Sequence, residues 1–404
     1  MKILIADKFQ QKGIDDLKSL GAQVAYEPDV TAETLPALVE RHDPDVLVVR
    51  STKVKPPVFE VAKRLTLVVR AGAGVDNIDV PGASARGISV ANCPGKNSIA
   101  VAELVWGLIL ASDRRIPDQT ADLRAGVWNK KEYSKARGLY GRTLGVIGVG
   151  QIAREVISRA RAFGMRVVAW SRSLTDEAAD SMGIERRASP LDVAREADVV
   201  SINVAATDQT KQLVNAKFID ALKPGAVLIN TSRGTVVDEP ALLKAIKEKN
   251  VRAGLDVYEN EPGGASASGA FNSELASSPG VVGTHHIGAS TDQAQDAIAA
   301  EAVRIIKVYK ETGEVPNIVN QCGKSPATRM LVVRHLNRPG VLAHVIGEIG
   351  KAEINIEEME NVIYQGAEAA CAKIRLDGEP PESVLQKIRD GSKNVLSVDL
   401  TAIE

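Results

Sequence analysis

The sequence predicts an α/β protein in two parts, a large body built on parallel sheets and a small βαββαβ unit behind it. Three observations predict this. Short runs that are apolar on both faces recur from the N-terminus to residue 282, with helical stretches between them, as parallel strands covered on both sides require. A polar linker at 317–326, punctuated by Pro316, Gly323 and Pro326, ends that rhythm. Beyond it the periodicity switches to longer alternating strands.

Taken in order, strands are expected at 3–6, 46–49 and 67–69. Residues 97–113, with Trp106, carry apolar side chains nearly all round a helix, so that helix is either a buried core element or one covered by a second subunit. A polar stretch with a further tryptophan follows at 122–140. Strands resume at 144–147, 167–170, 199–204 and 226–229, in a region ending at Asp256, and at 281–282. The Gly, Ala, Ser and Pro between 259 and 280 cannot pack a core and read as an exposed loop. A helix at 292–312 closes the body. The last unit has strands at 328–335, 354–359 and 367–376, helices around Val341–Ile349 and 382–389, and a final strand in which Leu396, Val398 and Leu400 alternate with polar residues. That order is ferredoxin-like.

Composition narrows the function classes. The chain has 404 residues with 50 Lys+Arg against 51 Asp+Glu, so no bulk charge draws it to nucleic acid or anionic membrane. Its longest uncharged apolar stretch, 104–111, is far short of the ~20 residues of a spanning helix. A soluble, cytoplasmic protein is expected. Cys93, Cys322 and Cys371 lack zinc or disulfide spacing and are expected to be small apolar fillers. The adjacent His285 and His286 have no local Cys or carboxylate ligand pattern, so no metal site is expected.

The chemistry concentrates at strand ends. Strand 144–147 runs into Gly148-Val149-Gly150-Gln151-Ile152-Ala153 and a helix. Gly148 permits a tight turn, Gly150 lets the backbone approach a pyrophosphate, and the helix N-terminus supplies amides and positive dipole. The acidic residue that usually follows about 20 positions on is absent, and the second strand ends Trp170-Ser171-Arg172-Ser173. An arginine between hydroxyls suits a 2′-phosphate; the alternative is a solvated loop arginine. Strand 226–229 leads through Asn230 and Thr231 to Arg233, Glu261 follows, and His286 comes after strand 281–282. Histidine exchanges protons near neutral pH, a carboxylate orients its ring, and arginine grips a carboxylate or polarises a carbonyl. Taken singly, each also reads as a surface or core residue.

Together, Arg70 to Asn77, Asn97-Ser98 with Val101-Ala102-Glu103, Gly148 to Ala153, Ser232-Arg233-Gly234, Gly254 to Val257, Glu261-Pro262 and His286 to Ser290 resemble the D-isomer-specific 2-hydroxyacid dehydrogenases over nearly the whole chain. The resemblance implies a Rossmann-like, doubly wound nucleotide domain at 98–287 inserted in a flavodoxin-like substrate domain of 1–97 and 288–318. It implies His286 as acid/base, Glu261 as its partner and Arg233 as the carboxylate-binding, C2-polarising group. Gly148, Gly150, Gln151, Ile152, Ser171, Arg172, Thr231 and Asp256 would contact the coenzyme, Asp256 at the nicotinamide carboxamide. Arg50, Ser51, Gly72, Ala73, Gly74 and Asn77 would line the substrate, with Arg50, Lys53, Arg70 and a neighbouring subunit's Lys130 as candidates for a phosphate group. NAD(H) is the family's usual coenzyme, and Ser171 and Arg172 make NADP(H) an alternative. The segment 327–404 resembles an ACT regulatory domain, in which His335, Asn337 and Asn355 would bind L-serine as effector. The combination implies 3-phosphoglycerate as substrate and a homodimer or homotetramer. Glyoxylate or hydroxypyruvate reduction, and a nucleotide-sensing binding protein, are the alternatives.

Overall fold

The computed structural model describes residues 1–262, 269–323 and 325–403, and the chain divides into two units, Met1–Asn320 and Gln321–Glu404. The first unit holds two parallel sheets. One contains β1 (Lys2–Ile5), β2 (Gln23–Tyr26), β3 (Val46–Val49), β4 (Leu67–Arg70) and β5 (Ser89–Asn92) in the order β2-β1-β3-β4-β5. This is the flavodoxin-like order. Alternation along the strands sorts its two cores. Ile3, Ile5, Val46 and Val48 pack with Ile14 and Leu17 of helix Gln11–Ser19 and with Ile298, Ile305 and Ile306 of helix Asp292–Thr312. Leu4, Leu47 and Val49 face Leu35, Val39, Val58 and Phe59 on the other side.

The second sheet contains β6 (Thr143–Ile147), β7 (Arg166–Trp170), β8 (Glu185–Arg186), β9 (Val199–Ile202), β10 (Val227–Asn230), β11 (Arg252–Leu255) and β12 (Val281–Gly283), ordered β12-β11-β10-β9-β6-β7-β8. The chain runs outward from β6 to β8, returns, and continues outward from β9 on the other side. A doubly wound sheet of this kind opens a crevice at the C-terminal ends of β6 and β9, where the direction reverses. The helix Ser98–Arg114 buries most of its apolar residues within the chain, while Ile99, Glu103, Gly107 and Arg114 stay exposed along one side. It packs on this sheet and against helix Gln151–Ala162, with Trp106 stacked on Phe163 at 4.5 Å and its indole N–H donated to the Val156 carbonyl. The residues after it leave Leu123, Val127, Trp128 and Tyr140 exposed.

The second unit is an antiparallel sheet of β13 (Arg329–Leu336), β14 (Ile356–Ile363), β15 (Ala369–Leu376) and β16 (Val395–Ala402), ordered β14-β15-β13-β16, with helices Val341–Lys351 and Glu382–Asp390 packed on its core. This is the βαββαβ order read from the sequence.

Three strands escaped the sequence reading, and each for a physical reason. β2 is a half-exposed edge strand, β5 is short and polar at both ends, and β8 is two exposed residues at the far edge. One of the three cysteines departs from the expected role of apolar filler. Cys93 and Cys371 are buried, but Cys322 is exposed in the polar segment that begins the second unit, so it fills no core. The glycine- and serine-rich stretch expected to be an exposed loop is described only in part, since 263–268 lie outside the described residues. Among the described residues no helix is long and apolar enough to cross a membrane.

Candidate active site

Parallel strands deliver their following residues to one edge, and here that edge collects the chemistry. Gly148 follows β6, Ser171 follows β7, Thr231 and Arg233 follow β10, Asp256 follows β11 and His286 lies just beyond β12. Arg50 and Arg70 stand at the ends of β3 and β4 in the other sheet.

His286 and Glu261 form a pair. The His286 Nδ1 lies 2.7 Å from Glu261 Oε2, and Glu261 Oε1 accepts the Tyr258 N–H at 2.8 Å. Burial pushes the Glu261 carboxyl up, but the hydrogen bonds from His286 and Tyr258 and the nearby Arg233 charge outweigh it and hold the group below the usual carboxylate range. An ionised carboxylate accepts only, so Nδ1 carries the proton and Nε2 is left to exchange one with a ligand. Gly234 lets the loop that carries Arg233 meet the one that carries Glu261, since a β-carbon there would fall 2.0 Å from the Tyr258 carbonyl carbon. His285 is exposed beside the pair.

His286 adopts a left-handed backbone, with φ 54°, which a non-glycine residue keeps only where its surroundings hold it. Asp256 does the holding. It is buried; its backbone carbonyl accepts the His286 N–H, and its carboxylate accepts from Thr284 Oγ1 and from the Ile287 and Gly288 amides. The structure therefore places Asp256 beneath the histidine loop, as a brace. Asn230 plays the same part for Arg233, taking the Ser232 N–H and hydroxyl on Oδ1 and donating Nδ2 to the Arg233 carbonyl. The sequence reading passed over Asn230, although its place between an apolar strand and the Ser-Arg-Gly turn marks it.

The nucleotide crevice fits a pyrophosphate. Gly148 takes φ 86°, and a β-carbon on it would lie 2.7 Å from the Asn203 carbonyl oxygen. Above Gly150 there is open space, and no side chain caps the helix that begins at Gln151, with Ile152 in its first turn. Its first amides are thus available to an anion. Asn203 Oδ1 is buried without a hydrogen-bond partner. Arg172 is exposed at the end of β7, with its guanidinium on Gln209 Oε1, a partner no sequence signal announced.

On the substrate side, one residue missed in the sequence organises the loop. Asp7, buried just past β1, accepts the backbone N–H groups of Arg50, Ser51 and Thr52 on one oxygen, at 2.7 to 3.0 Å. Its position directly after an apolar strand was the available signal. Asn77 Nδ2 donates to the Thr52 carbonyl, Gly72 accepts from the Cys93 N–H, and Ala73 accepts from Asn92 Nδ2. Burial, then the neighbouring charges of Arg233 and Arg50, push the Arg70 guanidinium down to about 10, and its Nε is buried without a partner. Burial also lowers Arg50. Arg233 crosses from the nucleotide sheet to meet Asp76 beside Gly74. Lys53 and Lys130 are exposed.

The three residues expected to bind an effector do not assemble within one chain. His335 is buried with its ring nitrogens on the Leu336 carbonyl and Asn361. Asn337 sits at one end of the sheet, with Nδ2 on the Ala367 carbonyl, whereas Asn355 sits at the other, with its N–H on Asp377. Eight residues of strand separate the two ends, roughly 26 Å.

Residues 106–288 match the family described as D-isomer specific 2-hydroxyacid dehydrogenase, NAD binding domain. Across 93% of this chain and 67% of its own length, a D-3-phosphoglycerate dehydrogenase of Methanocaldococcus jannaschii is 36% identical. A hydroxypyruvate reductase of Thermotoga maritima is 42% identical over 67% of this chain and 85% of its own. Among solved structures, the NADPH-dependent glyoxylate/hydroxypyruvate reductase of Sinorhizobium meliloti, in complex with NADP and malonate, superposes with TM-score 0.68 at 29% identity, covering 79% of this chain and 96% of that one. With the paired His286 and Glu261, the glycine turn and these relatives on one chain, the protein belongs to the D-isomer-specific 2-hydroxyacid dehydrogenases and is an NAD-binding oxidoreductase of that family.

Proposed function

We propose that the enzyme oxidises 3-phosphoglycerate at C2, and the observation that carries this is the gathering of Arg50, Arg70 and Arg233 where the two sheets face each other. Burial destabilises the charged forms of Arg50 and Arg70, and at Arg70 the neighbouring charges of Arg233 and Arg50 add to it, so an anion of several charges relieves both effects. The extent of the likeness supports the same reading. The match to the M. jannaschii phosphoglycerate dehydrogenase runs over 93% of this chain, against 67% for the hydroxypyruvate reductase.

Oxidation of a 2-hydroxy acid removes a hydride from C2 and a proton from its hydroxyl. A bound nicotinamide coenzyme supplies the hydride acceptor. His286 Nε2 takes the proton, and Glu261, ionised and bonded to Nδ1, fixes the tautomer and stabilises the imidazolium that results. Arg233 grips the carboxylate and polarises C2, while the Gly72 to Gly74 backbone and Asn77 border the same group. Arg50, braced by Asp7, and Arg70 take the phosphate, with Ser51 beside them and Lys53 and a partner's lysine at 130 at its rim. Gly150, Gln151 and Ile152 hold the pyrophosphate, and Ser171 with Arg172 admits a 2′-phosphate. Residues 1–97 with 288–318 form the substrate domain, 98–287 the nucleotide domain and 327–404 a regulatory domain. Chains pair through the 97–140 region, where Trp128 and Tyr140 are exposed. An effector serine that touches both Asn337 and Asn355 requires two copies of the chain.

Substituting Arg50 or Arg70 by Gln tests the substrate. Each change should lower kcat/KM for 3-phosphoglycerate by roughly ten- to a hundredfold while altering glyoxylate reduction far less. Equal losses on both substrates would remove the phosphate role.

A further inference from the structure

We propose that Asp76 is a positioning residue for Arg233, reaching across the cleft to take one edge of the guanidinium so that the other edge is aimed at the substrate carboxylate. The inference rests on the reading of Arg233 as the carboxylate-binding group. Asp76 follows β4 in one sheet and Arg233 follows β10 in the other, 157 residues apart in sequence. Asp76 Oδ2 accepts from Nε at 3.2 Å and Oδ1 accepts from Nη2 at 2.8 Å, a side-on, two-point contact. Nη1 donates to the Ser232 carbonyl at 2.7 Å.

Arg233 keeps two donors for a ligand. A guanidinium has five N–H groups, one on Nε and two on each terminal nitrogen. Three are spent, which leaves one on Nη1 and one on Nη2. Two such N–H groups make a pair matched to the two oxygens of a carboxylate. A substrate can therefore be bound without displacing Asp76, which distinguishes a brace from an internal competitor. The fit is close, because a β-carbon at Gly74 would lie 2.4 Å from Arg233 Nη2 and 2.7 Å from Asp76 Oδ1. Burial pushes the Asp76 carboxyl up, yet the hydrogen bond and charge of Arg233, helped by Arg70, hold it below its usual range. It stays ionised at the pH at which the enzyme would work.

The test uses the full-length enzyme and whichever of 3-phosphoglycerate, glyoxylate or hydroxypyruvate the wild type turns over fastest. Loss of the 3-phosphoglycerate reading therefore leaves it intact. Asp76→Asn keeps the shape and removes the charge. It should raise KM and lower kcat/KM by roughly ten- to a hundredfold, with coenzyme Kd and Tm unchanged. Asp76→Glu, which keeps the charge, should recover part of the loss. In an Arg233→Gln background, Asp76→Asn should add no further loss. Unchanged kcat/KM in Asp76→Asn, a lower KM, or an equal further loss in the Arg233→Gln background would each overturn the proposal.

Discussion

Replacing Glu261 by glutamine should disable proton transfer while leaving the fold in place, and the reason lies in its two hydrogen bonds. Both carboxylate oxygens accept, one from Tyr258 N–H and one from His286 Nδ1, at 2.8 and 2.7 Å. A glutamine offers one accepting oxygen and one donating nitrogen. If the oxygen serves Tyr258, the amide nitrogen faces His286 Nδ1 and forces it to accept, which puts the proton on Nε2 and removes the base. If the oxygen serves His286, the Tyr258 N–H meets another donor, a loss of about 1–3 kcal/mol, and the imidazolium loses its counter-charge. The first arrangement costs the full general-base contribution, roughly 10² to 10⁴ in rate, and the second at least about tenfold. Steady-state kcat/KM read from NADH absorbance measures this in both directions, which should fall together because the overall equilibrium is unchanged. Coenzyme Kd, measured by fluorescence, should not move. A Glu261→Gln enzyme within about threefold of wild-type kcat/KM would reduce Glu261 to a loop residue and refute the argument.

Arg172→Ala should weaken NADP(H) binding more than NAD(H) binding, since only the former carries a 2′-phosphate for the guanidinium; equal effects would leave Arg172 as a solvated partner of Gln209. Glu301, buried on helix Asp292–Thr312, holds Arg304, Asn317 and Lys96, and the hydrogen bonds from Arg304, Asn317 and Lys96 bring its carboxyl down to about 2 against the opposition of burial. A lowered folded-state value stabilises the protein above the ordinary carboxylate range, and the gain is lost as pH falls from about 4.5 toward 2. Glu301→Gln should therefore cost roughly 1–3 kcal/mol by urea unfolding at pH 7, with the difference shrinking in acid. A difference that stays constant with pH would mean that the charge is irrelevant. His286→Ala should abolish most turnover with coenzyme binding retained, whereas His285→Ala should not, and the reverse result would misplace the acid/base.

What the sequence made legible follows from what burial and turns write locally. β3 and β9, with every residue buried, stand out as apolar runs, and helix Asp292–Thr312 announces itself by Thr291 capping Ala294 N–H and Gly313 at its end. The glycine turn and the His286 and Glu261 set were visible for the same reason, since each follows a strand. Edge strands β2 and β8 were not, because half-exposed residues leave no apolar run. Asp7, Asp76 and Gln209 act on groups whose nearness only the folded sheets create, Asp7 on Arg50 from 43 residues away and Asp76 on Arg233 from 157. The spacing of Asn337 and Asn355 likewise concealed that antiparallel pairing sends them to opposite ends of one sheet.

The most direct test of the central claim compares 3-phosphoglycerate with D-glycerate, which presents the same carboxylate and C2 hydroxyl without the phosphate. With wild-type enzyme, and with NAD and NADP in parallel, 3-phosphoglycerate should give the higher kcat/KM by roughly a hundredfold or more, as several charge-assisted contacts from Arg50 and Arg70 require. Equal turnover of the two acids, or no oxidation of 3-phosphoglycerate with either coenzyme while glyoxylate is reduced, would contradict it.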